Sequence, residues 1–147
     1  MSNFNATQEA AAIGGARGKL YASSGTGKLR SFTSTYTSVA GSEPQVADTI
    51  TWGDIPSGAR IHGNLSTFNY SIGNAGMTLT LGDADDDNFI LAATDMGTSA
   101  GVTTLPLVNA DGAVYVTDGT LTLVSTLGVD EMLADQVITL TIIYTLD

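Results

Sequence analysis

The sequence predicts an all-β domain: an antiparallel β-sandwich of jelly-roll type, preceded by an extended N-terminal arm. Several short segments alternate apolar and polar residues with a period of two, which is typical of strands with one buried face. Gly, Pro, Asn and Asp separate these segments at short intervals, and threonine is frequent within them. Because each sheet must bury one face, two packed sheets are the natural arrangement. An immunoglobulin-like sandwich is the second choice of topology.

Length and charge divide the chain into two parts. At 147 residues it is expected to form one domain. Residues 1–30 hold four basic residues and one acidic residue, a net charge of +3, whereas residues 31–147 hold Arg60 and 14 acidic residues, a net charge of −13. The prediction is therefore a basic arm, residues 1–30, followed by an acidic sandwich domain, residues 31–147.

Glycine content predicts that the arm is extended. Gly14, Gly15, Gly18, Gly25 and Gly27 exclude a long helix there, because each glycine is unfavourable in a helix by about 1 kcal/mol. The Gly-Lys pairs at 18–19 and 27–28 lack both the earlier glycine and the following Ser or Thr of a phosphate-binding loop. Nucleotide binding is therefore not expected.

An alternating or short apolar run, bounded by turn residues, predicts each strand of the domain. In chain order these strands are residues 31–39, 46–52, 59–70, 77–81, 89–94, 103–108, 113–117, 120–124 and 136–146. A bulge is expected near Gly63, and Pro106 indicates an edge strand, because proline cannot donate a ladder hydrogen bond. The dipeptide Asp118-Gly119 between two alternating runs predicts a tight hairpin.

The stretch GDADDDN, residues 82–88, places acidic residues at the first three ligand positions of an EF-hand loop. The rest of that pattern is absent. Asn88 stands where a glycine is needed, Thr94 stands where a bidentate Glu is needed, and the flanking segments read as strands rather than helices. The sequence predicts a solvated turn between two strands, because loop backbone groups must meet water. An irregular cation site in this loop is left open.

No catalytic or cofactor pattern is visible. His62 is the single histidine, it is expected to face outward on its strand, and the chain contains no cysteine, so neither a hydrolase triad nor a zinc site can be assembled. Carboxylate pairs remain conceivable, but a glycosidase groove is usually lined with aromatic residues, and Trp52 is the single tryptophan. We therefore expect no enzymatic activity, no metal and no cofactor. Trp52 is expected in the core or at an interface, with a sugar-stacking platform as the alternative.

Several kinds of partner are also not expected. The acidic domain repels nucleic acid and anionic membranes, since phosphate affinity comes from Lys and Arg. No run approaches the length of a membrane span, and the N-terminus lacks the pattern of a signal peptide. A small-molecule substrate is not indicated.

The middle of the chain resembles a known class of proteins. The segments IPSGARI (residues 55–61) and LTLGDADDDNFILAA (residues 79–93) are similar to small virion structural proteins of tailed bacteriophages, in particular capsid decoration (cement) proteins. The resemblance implies a β-sandwich, commonly a trimer, on the outside of the capsid where coat subunits meet. It carries no binding residues over, because its motifs are turns and strands.

The resemblance sets the functional expectation. The chain would decorate and stabilise a capsid by bridging neighbouring subunits of the major capsid protein, after assembly in the host cytoplasm. The arm residues Arg17, Lys19, Lys28 and Arg30 would contact acidic coat surface or a neighbouring subunit of the trimer. The alternatives are a carbohydrate-binding or receptor-binding jelly roll of a fibre, and a tail-tube or baseplate subunit.

Overall fold

A computed structural model of the chain describes residues 3–5, 7–8, 28–106 and 114–146. Within these ranges the chain forms twelve β-strands and one short 3₁₀ turn, Gly63–Leu65. The strands are β1 (Asn3–Asn5), β2 (Thr7–Gln8), β3 (Lys28–Thr37), β4 (Thr49–Ile55), β5 (Arg60–His62), β6 (Thr67–Tyr70), β7 (Thr78–Leu81), β8 (Leu91–Asp95), β9 (Gly101–Thr104), β10 (Val114–Val116), β11 (Leu121–Gly128) and β12 (Val137–Leu146).

The strands form two sheets packed face to face. One sheet has the order β1-β4-β11-β7-β8, and the other has the order β10-β5-β12-β3-β2, with β6 and then β9 joined to β12. Among the described strands, every pair is antiparallel except β1 with β4, which is parallel. The prediction of an all-β sandwich is confirmed.

The strand order is that of a jelly roll. Strands β3, β12, β6 and β9 lie side by side in one sheet, and β4, β11, β7 and β8 lie side by side in the other. Eight strands in two such sheets, with the chain crossing repeatedly between them, define this fold. β5 and β6 together act as one long strand that is interrupted by the 3₁₀ turn at Gly63, where the sequence predicts a bulge.

Alternation along the strands builds the core. On β12, Ile138, Leu140 and Ile142 are fully buried, and the threonines between them are partly exposed. β12 pairs with β3 along its whole length, from Val137 opposite Thr37 to Leu146 opposite Lys28. The buried face of this pair belongs to the core shared by the two sheets, and Ser34 Oγ of β3 donates to the Trp52 carbonyl of β4.

One turn prediction is wrong. Asp118 and Gly119 do not close a hairpin, because β10 pairs with β5 in one sheet and β11 pairs with β4 in the other. The backbone at Thr117 hydrogen-bonds to Ala59 and Gly58, so residues 116–121 and 55–60 cross together from one sheet to the other. The Asp-Gly signal therefore marks a crossover. The turn predicted at residues 109–112 lies outside the described residues.

Candidate functional site

The predicted arm residues fall into two groups. Arg17 and Lys19 lie outside the described residues. Lys28 and Arg30 lie at the start of β3, which begins three residues before the predicted domain boundary, and they pair with Leu146 and Tyr144 of β12. Burial raises the pKa of Tyr144, and the nearby charge of Arg30 acts in the opposite direction. Both basic residues are partly exposed, on a strand that lies between β12 and β2.

Trp52 lies wholly inside the sandwich, with no exposed surface. Its indole N–H donates to Ser125 Oγ at 2.8 Å, and its ring meets Phe68 edge to face, with ring centroids 5.4 Å apart. Trp52 belongs to one sheet and Phe68 to the other, so the contact joins the sheets. This burial places Trp52 in the core, one of the positions expected for it, and leaves no exposed face on which a sugar could stack.

His62 is only partly exposed. Its Nε2 lies 3.3 Å from Thr145 Oγ1 of the neighbouring strand β12. His62 was expected to face outward. It is in fact partly covered, because the pairing of β5 with β12 brings the Thr145 hydroxyl close to the imidazole ring. Its contact is a structural one between adjacent strands.

The acidic loop between β7 and β8 is held by its own carboxylates. Asp83 Oδ1 accepts the backbone N–H groups of Asp85 and Asp86 at 2.9 and 2.8 Å, and the Asp83 N–H donates to the Asp86 carbonyl. Such side-chain bonds to nearby backbone groups are what Asp supplies in turns. The loop is a polar connection between two strands, as the sequence predicts.

The described ranges contain neither a metal-binding cluster nor a membrane-spanning helix. Residues 28–106 and 114–146 contain no group of three or more His, Asp or Glu side chains arranged to hold a metal ion. In the same part of the chain no helix has the length and apolar character required to cross a membrane.

Exposed apolar residues gather at one end of the sandwich. Four loops meet there: residues 38–48, 71–77, 96–100 and 129–136. We call this the end-loop surface. Of the ten large apolar side chains exposed in the described residues, six lie on it or at its border. They are Val39, Val46, Ile72, Val129, Leu133 and Val137. The sequence did not predict this surface, because three of these six residues, Val39, Val46 and Val137, fall within predicted strands.

Comparison with solved structures places this fold among chains of phage capsids. A chain of the cyanophage Pam1 capsid asymmetric unit matches with a TM-score of 0.64 and 18% sequence identity, over 84% of this chain and 89% of that one. A chain of the capsid of Ralstonia phage GP4 matches with a TM-score of 0.58 and 18% identity, over 84% and 86% of the two chains. No protein-family model and no curated protein matches the sequence.

The class of protein follows at the level of fold. Near-complete coverage of both chains, without a large unmatched domain on either side, indicates that the whole jelly roll is shared. At 18% identity the likeness concerns the backbone arrangement and does not transfer individual residues. This protein is thus a small jelly roll with the fold of chains found in phage capsids.

Proposed function

We propose that this protein is a phage virion structural protein that decorates the capsid exterior, as a trimer, and stabilises it by bridging neighbouring coat subunits. The observation that carries the proposal is the shared fold with chains of two phage capsids, over 84% of this chain in each case. Fold alone does not determine function, so the surface chemistry supplies the second argument.

The surface favours a protein that works inside an assembly. Mean hydropathy is +0.17 with only 14% charged residues, and exposed apolar side chains cluster on the end-loop surface. Clustered apolar patches on a folded domain usually mark an interaction site. A capsid clamp gains by burying such a patch at each symmetric joint, because every copy repeats the same contact.

The basic arm is proposed as a tether. Arg17, Lys19, Lys28 and Arg30 would pair with acidic coat surface or with the acidic domain of a neighbouring subunit. Lys28 and Arg30 lie in β3, so the basic segment continues into a strand of the folded domain. The remainder of the domain, at −13, offers a complementary charge on any adjacent copy.

The structure gives no support to the two alternatives, a carbohydrate-binding module and a tail-tube or baseplate subunit. The carbohydrate-binding alternative placed Trp52 and the tyrosines at a sugar site, and Trp52 is buried. Nothing in the described part of the chain favours a tail tube or baseplate over a capsid clamp. The absence of enzymatic activity, of a cofactor, and of nucleic-acid, membrane or small-molecule partners stays a prediction.

The test uses capsids assembled from the major coat protein of the phage that encodes this chain, prepared without this protein. We expect the purified protein to bind these capsids to saturation at a fixed number of copies, and to raise the temperature at which they come apart. Calorimetry of capsids with and without the protein measures the second effect. Capsids that neither bind the protein nor gain thermal stability from it contradict the proposal.

A further inference from the structure

We infer that the end-loop surface is the face that docks on the coat protein, and that the coat patch it meets is basic and apolar. This inference rests on the proposed function and adds to it the contact face and its chemistry. Three observations carry it: the continuity of the four loops, their charge, and the backbone conformation of Val129.

The four loops form one surface because hydrogen bonds tie them together. The Ser38 N–H donates to the Gln136 carbonyl at 2.9 Å, and the Met132 N–H donates to the Pro44 carbonyl at 3.0 Å. Asn74 Nδ2 donates to the Glu131 carbonyl at 2.9 Å. Loop 129–136 thus holds two of the other loops in place.

The fourth loop is fixed in the same way. Gln136 is buried, and its Nε2 donates to the Met96 carbonyl at 3.0 Å. The Gly73 N–H donates to the Gly97 carbonyl at 2.9 Å. A surface held by this many bonds loses little freedom on docking, which favours binding.

The charge of this surface is of one sign. Its loops contain acidic residues and no Lys, Arg or His. The acidic residues are Glu43, Asp48, Asp130, Glu131 and Asp135, with Asp95 at the border. Two copies of such a surface would repel one another, so a second copy of the same face is an unfavourable occupant. An apolar face rimmed by carboxylates is complementary to an apolar patch that carries Lys or Arg.

Val129 gives the most specific sign of function. It is 75% exposed, the highest value among the exposed large apolar residues, and its backbone has φ of +68°. A β-branched residue is strained in this left-handed region, where Gly or Asn is preferred. Ala47 and Asp135, the other two described non-glycine residues with positive φ, lie in loops of the same surface. Strained, exposed apolar residues are costly to an isolated domain, and they cluster where binding uses them.

The test separates docking from folding. In the variant Ile72→Ser/Val129→Asn/Leu133→Ser, Asn at 129 relieves the backbone strain while all three changes remove apolar contact. The control variant Leu65→Ser/Val116→Ser removes exposed apolar side chains from the 3₁₀ turn and β10, away from the end-loop surface. Binding to the coat-protein capsids is measured by co-sedimentation, and folding by thermal unfolding.

We expect the end-loop variant to bind at least about tenfold more weakly than wild type, with Tm unchanged or higher, and the control to bind as wild type does. A second variant, Glu131→Gln/Asp135→Asn, should bind more weakly at low salt and show a smaller salt dependence, because exposed charge pairs are screened by salt.

Three results overturn the inference. If wild type binds and the end-loop variant binds equally well, the docking face lies elsewhere while the proposed function survives. If the end-loop variant loses self-association and keeps capsid binding, the surface joins copies of this chain. If wild type does not bind, the proposed function fails together with the inference.

Discussion

At the scale of the residue, the positions that constrain this fold most are glycines and carboxylates in its loops. Gly82 closes the acidic loop against β11 through a two-way backbone bridge to Val124, with both N···O distances 2.9 Å. A side chain at Gly82 would overlap the Asp86 carbonyl oxygen. The conformation of the acidic loop, residues 83–87, therefore depends on the absence of a Cβ atom at residue 82.

We predict that Gly82→Ala destabilises the protein by about 3 kcal/mol or more, because backbone must move to admit the methyl group. The control is Gly41→Ala. Gly41 has φ of +83° and open space around it, so that change costs only left-handed strain, about 1–2 kcal/mol. Urea unfolding of both variants makes the comparison. A cost for Gly82→Ala no larger than that for Gly41→Ala would contradict the close approach of Gly82 to the Asp86 carbonyl.

The carboxylate of Asp95 accepts several hydrogen bonds that link its titration to stability. The side-chain hydroxyl of Thr98, the Thr98 backbone N–H and the Gly97 backbone N–H all donate to its carboxylate, and they hold the pKa of Asp95 below its ordinary value. Since the folded-state pKa lies below the unfolded one, this stabilisation is present above the unfolded pKa. It is lost as the pH falls through the folded pKa.

We therefore predict that Asp95→Asn flattens the acid limb of the stability curve below about pH 4. The free energy of unfolding, measured in urea at a series of acidic pH values, checks this. A slope unaltered by Asp95→Asn would contradict the assignment.

At the scale of the element, Trp52 joins the two sheets. It lies on β4, its ring packs on Phe68 of β6 in the opposite sheet, and its carbonyl oxygen accepts the Ser34 hydroxyl of β3 at 3.0 Å. Ser125 of β11 satisfies the indole N–H. The indole N–H and the carbonyl oxygen of Trp52 are therefore both hydrogen-bonded inside the core.

We predict that Ser125→Ala costs about 1–3 kcal/mol, because it leaves a buried indole N–H without a partner. Thr122→Ala, which removes a hydroxyl from the exposed face of the same strand, should cost less than about 1 kcal/mol. A double-mutant cycle with Trp52→Phe isolates the hydrogen bond. Additive effects in that cycle would show that the bond contributes nothing to stability.

The sequence predicts the elements better than it predicts their connections. Strict alternation identifies β3, β7 and β12, because one buried face forces a period of two. Asp118-Gly119 misleads, since local turn chemistry does not say which sheet the next strand joins. Trp52 could be assigned to the core only as one of two alternatives, because sequence does not reveal burial.

The proposed docking surface was harder to predict than the fold. The end-loop surface depends on four loops separated by up to about 90 residues of chain, which meet only because the strand order brings them together. The strain at Val129 is invisible in the sequence, since a valine in a loop gives no sign of its φ angle. The net positive charge of residues 1–30, by contrast, follows directly from the amino-acid composition.

At the scale of the whole molecule, the proposed trimer requires self-association of the chain. We predict that sedimentation of the purified protein shows a species of about 45 kDa, three times the 15.1 kDa chain, and that high salt weakens it if arm charges hold it together. Arg17→Gln/Lys19→Gln should shift the equilibrium towards monomer if the arm links copies. A stable monomer both in solution and on capsids would contradict the trimer.

We propose that this jelly roll acts by binding to the outer surface of a phage capsid. The most direct measurement is electron cryomicroscopy of heads assembled with and without the protein. The account predicts additional density on the outer shell over the joints between coat subunits, with the four loops 38–48, 71–77, 96–100 and 129–136 turned towards the coat. Heads that look identical in the two preparations, or density found on the tail, would contradict it.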